Sequence, residues 1–224
     1  MKLTIIRNIS LVALFAFITL IYFNCSDNNP TGTNNSSSNV ISGKVTGWSL
    51  GTKTISAKLN SRSGSQYEIC SCPIDANGNF SLTLPDAVAD TALFHADTLF
   101  TFRCAGNVQI NPADSRAAYI YDLDVMDSTQ VRGYIEFNNY DTIAAGACVE
   151  TYYYVNKNFT VNGTQYCNSL DSVIYNCTFN KGWNKIYAHV LKFSGNQLTA
   201  AYNNTICSGA VWKYKPYPDK TILR

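Results

Sequence analysis

The chain predicts an all-β protein built as two small β-sandwich modules, and three observations carry that expectation. From Val40 onward, short runs rich in Val, Ile, Thr and aromatics alternate apolar with polar residues, the period of a half-buried strand. Gly, Asn, Asp and Ser punctuate those runs at intervals of roughly 10 to 15 residues, the spacing of hairpins. A helical period is missing throughout; the one competing stretch, Asp86 to Ala96, is short and polar for an independent helix.

At the N-terminus, Lys2 and Arg7 precede an apolar run from Ile9 to Phe23 that only Ser10 and Thr19 interrupt. A positive flank and an apolar region of about 15 residues form a secretory signal peptide. A bilayer span needs roughly 20. Residues 1–24 are therefore expected to be removed. Residues 26–39 hold only Ser, Asp, Asn, Pro, Thr and Gly. With no apolar side chain to offset ordering entropy, 25–39 reads as a flexible polar tether. Tyr22-Phe23-Asn24-Cys25, followed by Ser26-Asp27-Asn28-Asn29-Pro30, resembles the lipobox and tether of bacterial lipoproteins. The resemblance implies lipidation at Cys25 and a membrane partner through that anchor. Ser26 in place of Asp further implies delivery to the outer membrane or cell surface.

The first module is expected over 40–114. Val40 to Trp48, Thr54 to Arg62, Gln66 to Ile74 and Asn79 to Leu84 read as its strands. Asp75-Ala76-Asn77-Gly78-Asn79-Phe80 contains an Asn-Gly step suited to a type I′ hairpin turn. Asp75-x-Asn77 lacks the later acidic residue that a calcium loop requires. Ile41-Ser42-Gly43-Lys44-Val45-Thr46-Gly47, that Asn-Gly turn and Leu84-Pro85 together resemble the transthyretin-like or carboxypeptidase-regulatory-like sandwiches, Ig-like in outline, of exported bacterial proteins. The resemblance implies a spacer, adhesive or docking role and no catalysis.

The second module is expected over 115–224. Tyr119 to Val125 and Val131 to Phe137 alternate about a turn at Asp127-Ser128-Thr129. Thr151 to Val155 and Phe159 to Val161 flank Asn156-Lys157-Asn158; Ser172 to Phe179 and Lys185 to Phe193 flank Asn180-Lys181-Gly182-Trp183-Asn184. Gln197 to Ile206 and Gly209 to Tyr214 complete a sheet.

Charge excludes two partner classes. The full chain has 17 Lys and Arg against 15 Asp and Glu. Because Lys2 and Arg7 lie in the leader, the chain from Cys25 is formally neutral. It therefore lacks the counterion-release drive for nucleic acid and the polybasic pull toward anionic lipid.

Candidate chemistry is sparse. Beyond Cys25, seven cysteines remain: Cys70, Cys72, Cys104, Cys148, Cys167, Cys177 and Cys207. In an exported chain these are disulfide candidates. The expected bridges are Cys167–Cys177, across a turn near Ser169-Leu170-Asp171, and Cys148–Cys207, between an early and a late strand. Cys70 and Cys72 share one face of a strand and cannot both reach one partner. With His95 and His189 the only histidines and no Cys-x₂-Cys pair, neither a metal nor a cofactor is expected. A hydrolase would need one of those histidines beside an acid and a nucleophile. Asp122 and Asp124 share a strand face, as acids commonly do. The abundant resource is aromatic: 15 Tyr, 11 Phe and 3 Trp. Tyr152-Tyr153-Tyr154 must put rings on both faces of a strand, so Tyr152, Tyr154, Trp183 and Trp212 are candidates for stacking on sugar rings. The expectation is thus a non-catalytic, lipid-anchored envelope protein with a protein or glycan partner. A glycan-binding lipoprotein and an uncharacterised hydrolase are the alternatives.

Overall fold

A computed structural model describes residues 39–60, 65–101, 104–167, 171–195 and 197–217; the leader, Cys25 and the tether up to residue 38 lie outside them. The chain is all-β. In order it forms β1 (Val40–Thr46), β2 (Lys53–Asn60), β3 (Gln66–Ile74), β4 (Asn79–Thr83), β5 (Phe94–His95), the short helix α1 (Ala96–Phe100), β6 (Ala105–Gly106), β7 (Gln109–Asn111) and β8 (Arg116–Asp127). Then follow β9 (Gln130–Asn138), β10 (Cys148–Val155), β11 (Phe159–Tyr166), β12 (Asp171–Phe179), β13 (Gly182–Ser194), β14 (Gln197–Asn203) and β15 (Val211–Pro216). The stretch expected to compete as a helix forms only a 3₁₀ turn at Asp90–Ala92, and α1 begins where that stretch ends.

Eight strands close into a barrel in the order β8-β2-β3-β4-β1-β15-β9-β10, with β10 returning to β8. The closure has a simple device. β8 and β9 pair as a hairpin from Asp127↔Gln130 to Leu123↔Ile135, then part. β10 enters the fork, pairing Val149 with Asn138 of β9 and Tyr152 to Val155 with Ile120 to Ala117 of β8. From β10 the sheet continues outward as β13-β14-β12-β11, with β6 and β7 on the edge of β11. The pairs β1–β15 and β12–β14 are parallel.

The boundary expected at residue 115 does not interrupt this network. β2 pairs with β8, β1 with β15, and both β6 and β7 with β11. The physical reason is edge satisfaction: β1 to β4 alone would leave two strands with unpaired backbone groups, and β8 and β15 supply their partners.

The turn after β3 also differs from expectation. Gly78 has φ 85°, but Asn77 is not in the left-handed region, so the loop is not type I′. Asp75 organises it instead, its carboxylate accepting from the backbone N–H groups of Asn77 and Asn79 at 2.8 and 2.9 Å.

Alternation along β10 separates two interiors. Tyr152 and Tyr154 face core 1 inside the barrel, with Ile41, Ile55, Leu59, Leu82 and Val125 among its members. Tyr153 and Val155 face core 2, where Phe100, Phe159, Tyr175 and Phe179 pack between the outer sheet and α1. Each fully buried Leu, Ile or Phe contributes about 1.5–3 kcal/mol relative to exposure.

Candidate functional site

Among the described residues, a small concavity lies over core 2. Two cross-strand tyrosine pairs shape it, each set by strand register: Tyr119↔Tyr153 across β8 and β10, and Tyr175↔Tyr202 across β12 and β14. Their ring centroids lie 5.9 and 5.5 Å apart. β13 runs between the pairs and places the small side chain of Ala188 opposite Tyr202. α1 supplies the remaining wall. Leu99 and Phe100 project from it, and the Phe100 ring stacks on Tyr153 with centroids 5.5 Å apart and 28° between planes. The pocket bounded by these six side chains has a volume of about 180 Å³.

Its electrostatics are uniform. Burial pushes the Tyr153 hydroxyl well above the usual phenol range, with Tyr202 and Tyr175 adding to the effect. Burial likewise raises Tyr175 and Tyr202, and it holds the adjacent Cys177 thiol up at about 12. These groups are neutral at physiological pH, so the pocket offers neutral phenols and flat apolar rings. Gln165, 2% exposed, donates from Nε2 to the Tyr175 hydroxyl at 2.7 Å. Its Oε1 has no hydrogen-bond partner among the described residues. Chemically, such a pocket suits an uncharged ring bearing hydroxyl or amide groups.

The residues nominated for sugar stacking lie elsewhere. Tyr152, Tyr154, Trp183 and Trp212 are 6%, 7%, 2% and 6% exposed and belong to core 1. Trp183 donates to the Pro85 carbonyl at 2.8 Å, and Trp212 packs edge-on to Phe80. Tyr152 donates to the buried Glu150 carboxylate, which Lys185 also approaches at 3.2 Å. Strand alternation correctly separated Tyr152 and Tyr154 from Tyr153. Both faces of β10 are covered, however, so neither set forms an open platform. The signal for the actual pocket was present in Tyr119, Tyr175 and Tyr202, but it required the register between strands that are distant in sequence.

The cysteines divide similarly. Cys148–Cys207 is formed as expected, with Cα atoms 5.6 Å apart. Cys167 bridges Cys104 instead of Cys177. Tyr166 pairs with Ser172, which leaves Cys177 opposite Val161; of the expected turn, Ser169 and Leu170 lie outside the described residues. Five residues along a strand separate Ser172 from Cys177, about 16 Å. Ala105 pairs with Tyr166 and delivers Cys104 to the bridge. Cys70, Cys72 and Cys177 are free thiols.

His95 is exposed in β5 at the start of α1. His189 Nε2 donates to the Thr205 carbonyl at 2.9 Å and lies 3.7 Å from Cys148 Sγ, which is already in a disulfide. Asp122 and Asp124 do come together on the barrel's outer wall. The Tyr217 hydroxyl lies 3.0 Å from one and 3.3 Å from the other, and Lys58 binds Asp124 at 2.5 Å.

Compared with known proteins, the chain matches no family model, no curated protein and no solved structure.

Proposed function

We propose that the chain is a non-catalytic, lipid-anchored protein of the bacterial cell envelope that acts as an interaction module. The observation that carries this reading is the pair of disulfides, at sequence separations of 63 and 59, in a single all-β head. Bridges of this kind persist in oxidising compartments, and the polar residues from Ser26 onward suit a tether that holds such a head a few nanometres from a membrane. The strand and turn pattern of the first half, whose sequence resembles transthyretin-like modules, belongs to the same reading. Metabolic labelling with a fatty-acid analogue tests the anchor. Label is expected on the wild-type chain and absent from Cys25→Ala, with the variant released from the membrane fraction; an unlabelled wild type overturns the assignment.

The second reading, glycan binding, moves from the core tyrosines to the core 2 pocket. Its neutral phenols and apolar rings support it. Glycan-array binding by the wild type that falls at least tenfold in Tyr202→Ala is expected; uniformly silent arrays remove this reading and leave the first intact.

A further inference from the structure

The three free thiols of the described residues occupy unlike settings: Cys177 is buried, whereas Cys70 and Cys72 on β3 are half-buried. Both pack against the edge of core 1, with Ser71 exposed between them. Their cross-strand partners on β2 are Ala57 and Ile55, both fully buried. Side chains two residues apart on one strand face stand about 6.6 Å apart. A disulfide needs Cβ atoms about 3.5–4.5 Å apart, so Cys70 and Cys72 cannot bridge each other while β3 is extended. Cys104, Cys148, Cys167 and Cys207 are already paired. Two adjacent, partly accessible thiols therefore persist among the described residues, whose other cysteines are oxidised or buried.

We propose that Cys70 and Cys72 together bind one soft monovalent ion, copper(I), through both sulfurs in a linear arrangement. Two opposed metal–sulfur bonds of about 2.3 Å span about 4.6 Å. Each side chain then leans about 1 Å toward the other from its 6.6 Å strand spacing, a rotamer adjustment that leaves the backbone in place. Soft thiolates select copper(I) over harder ions. A tetrahedral zinc site needs four ligands, and among the described residues no three His, Cys, Asp or Glu side chains cluster.

The surroundings place the two sulfurs together, and the ion must displace both protons against the effect of burial. The two thiols lie close enough for Cys72, after burial, to help push Cys70 up to about 11, with Glu68 adding to it. The backbone N–H of Ser81 hydrogen-bonds the Cys72 sulfur and works against the effect of burial there. β3 and β4 share only the ladder pair Ile74↔Phe80, so backbone bonds do not seal the wall beside Cys72. The chemistry balances simply. One copper(I) enters, two S–H protons leave to solvent, and the dithiolate complex carries one net negative charge.

The purified full chain, titrated anaerobically with copper(I) against a colorimetric copper(I) chelator, is expected to take up one ion per chain and release two protons. Cys70→Ser, Cys72→Ser and the double variant are expected to lose that uptake, whereas Cys177→Ala retains it. On the wild type alone, one equivalent of copper(I) is expected to protect Cys70 and Cys72 from alkylation, read by peptide mass spectrometry, so the test survives misfolding of any variant. Failure of the wild type to compete with the chelator, uptake retained by the double variant, or alkylation of both cysteines in the presence of copper(I) each overturns the proposal.

Discussion

Core 1, inside the closed ring of strands, combines twelve buried Ile, Leu and Val with five buried aromatics, whereas core 2, beneath a five-residue helix, combines five buried Phe and Tyr with only four Ile, Leu and Val. Both draw on β10. In the barrel every strand has two hydrogen-bonded neighbours, most sparsely between β3 and β4, and aliphatic and aromatic side chains together fill the volume the strands enclose. The outer sheet is open. It ends at β6 and β7, of two and three residues, and α1 covers only part of its face. Larger rings reach across that gap; Phe100 alone meets Tyr153, Phe159, Tyr175 and Phe179. The pocket is the volume those rings leave unfilled. Cys104–Cys167 ties the edge of this open half, Cys148–Cys207 links barrel strand β10 to the segment between β14 and β15, and the free Cys70 and Cys72 belong to the closed half. Aromatics thus serve both cores, but where closure by hydrogen bonds is missing they pack with far fewer aliphatic side chains, and a covalent staple ties the open edge.

The largest effect expected from breaking this arrangement comes from the staples. Removing Cys148–Cys207, which spans 59 residues, as Cys148→Ala/Cys207→Ala costs about 4 kcal/mol by chain entropy. For a chain of this size that lowers Tm by roughly 8–16 °C. Thermal unfolding followed by circular dichroism checks it. A shift of under 2 °C would mean that β10 and the segment between β14 and β15 hold together without their bridge.

Much of this contrast was legible in the sequence. Alternation and turn residues located the longer strands, because both are local signals, but missed β5, β6 and β7, of two or three residues each. Cys148–Cys207 was legible because an early and a late strand of one sheet are natural partners. Cys104–Cys167 was not: it depends on the two-residue strand β6 docking on β11, a contact that no local pattern announces. The barrel's closure through β2–β8 and β1–β15 was hidden for the same reason. Alternation also says which residues share a face but not whether that face is covered, and so Tyr152 and Tyr154 read as a platform while they fill core 1.

In the closed half, tight packing is tested at Gly43. A Cβ built there would lie 2.3 Å from the Trp212 ring. Gly43→Ala must therefore displace a large ring in core 1, an overpacking cost of about 2 kcal/mol, with a shift in tryptophan emission. An unchanged Tm would show that the barrel wall yields as readily as the open half.

Tyr175→Phe probes the open half with a smaller expected loss, about 1 kcal/mol. It removes only the hydroxyl to which Gln165 donates at 2.7 Å. Both ends of a buried amide would then be unpaired unless water from the pocket replaces the phenol. Urea unfolding measures the loss; a value near zero would show water already reaching Gln165, and the pocket to be wetter than its rings suggest.

The smallest effect is a slope with pH, and it contrasts the barrel's outer wall with the loops. Burial raises the Asp122 carboxyl above its ordinary 3.8; the Tyr217 hydrogen bond and Lys58 oppose this, and Asp124 adds to it. Burial also raises Glu136 above 4.5, against the pull of Lys215. A carboxyl whose folded pKa is raised keeps its proton longer in the folded chain than in the unfolded one, so its contribution is most favourable in acid and is lost as pH climbs through the raised value. The exposed Asp75, Asp114 and Asp141 are held low by hydrogen bonds from Asn79, Lys157 and Lys213 respectively. Their contributions run the other way, present above the ordinary value and lost on acidification. In the wild type the two trends partly cancel between about pH 3 and 7. Asp122→Asn removes one of the opposing contributions while Tyr217 keeps its contact with Asp124. Its stability should therefore rise more steeply across that range than the wild type's, measured as urea midpoints at successive pH values. Parallel curves would place Asp122 in its ordinary range, with its charge already compensated by Lys58 and the wall no costlier to ionise than a loop.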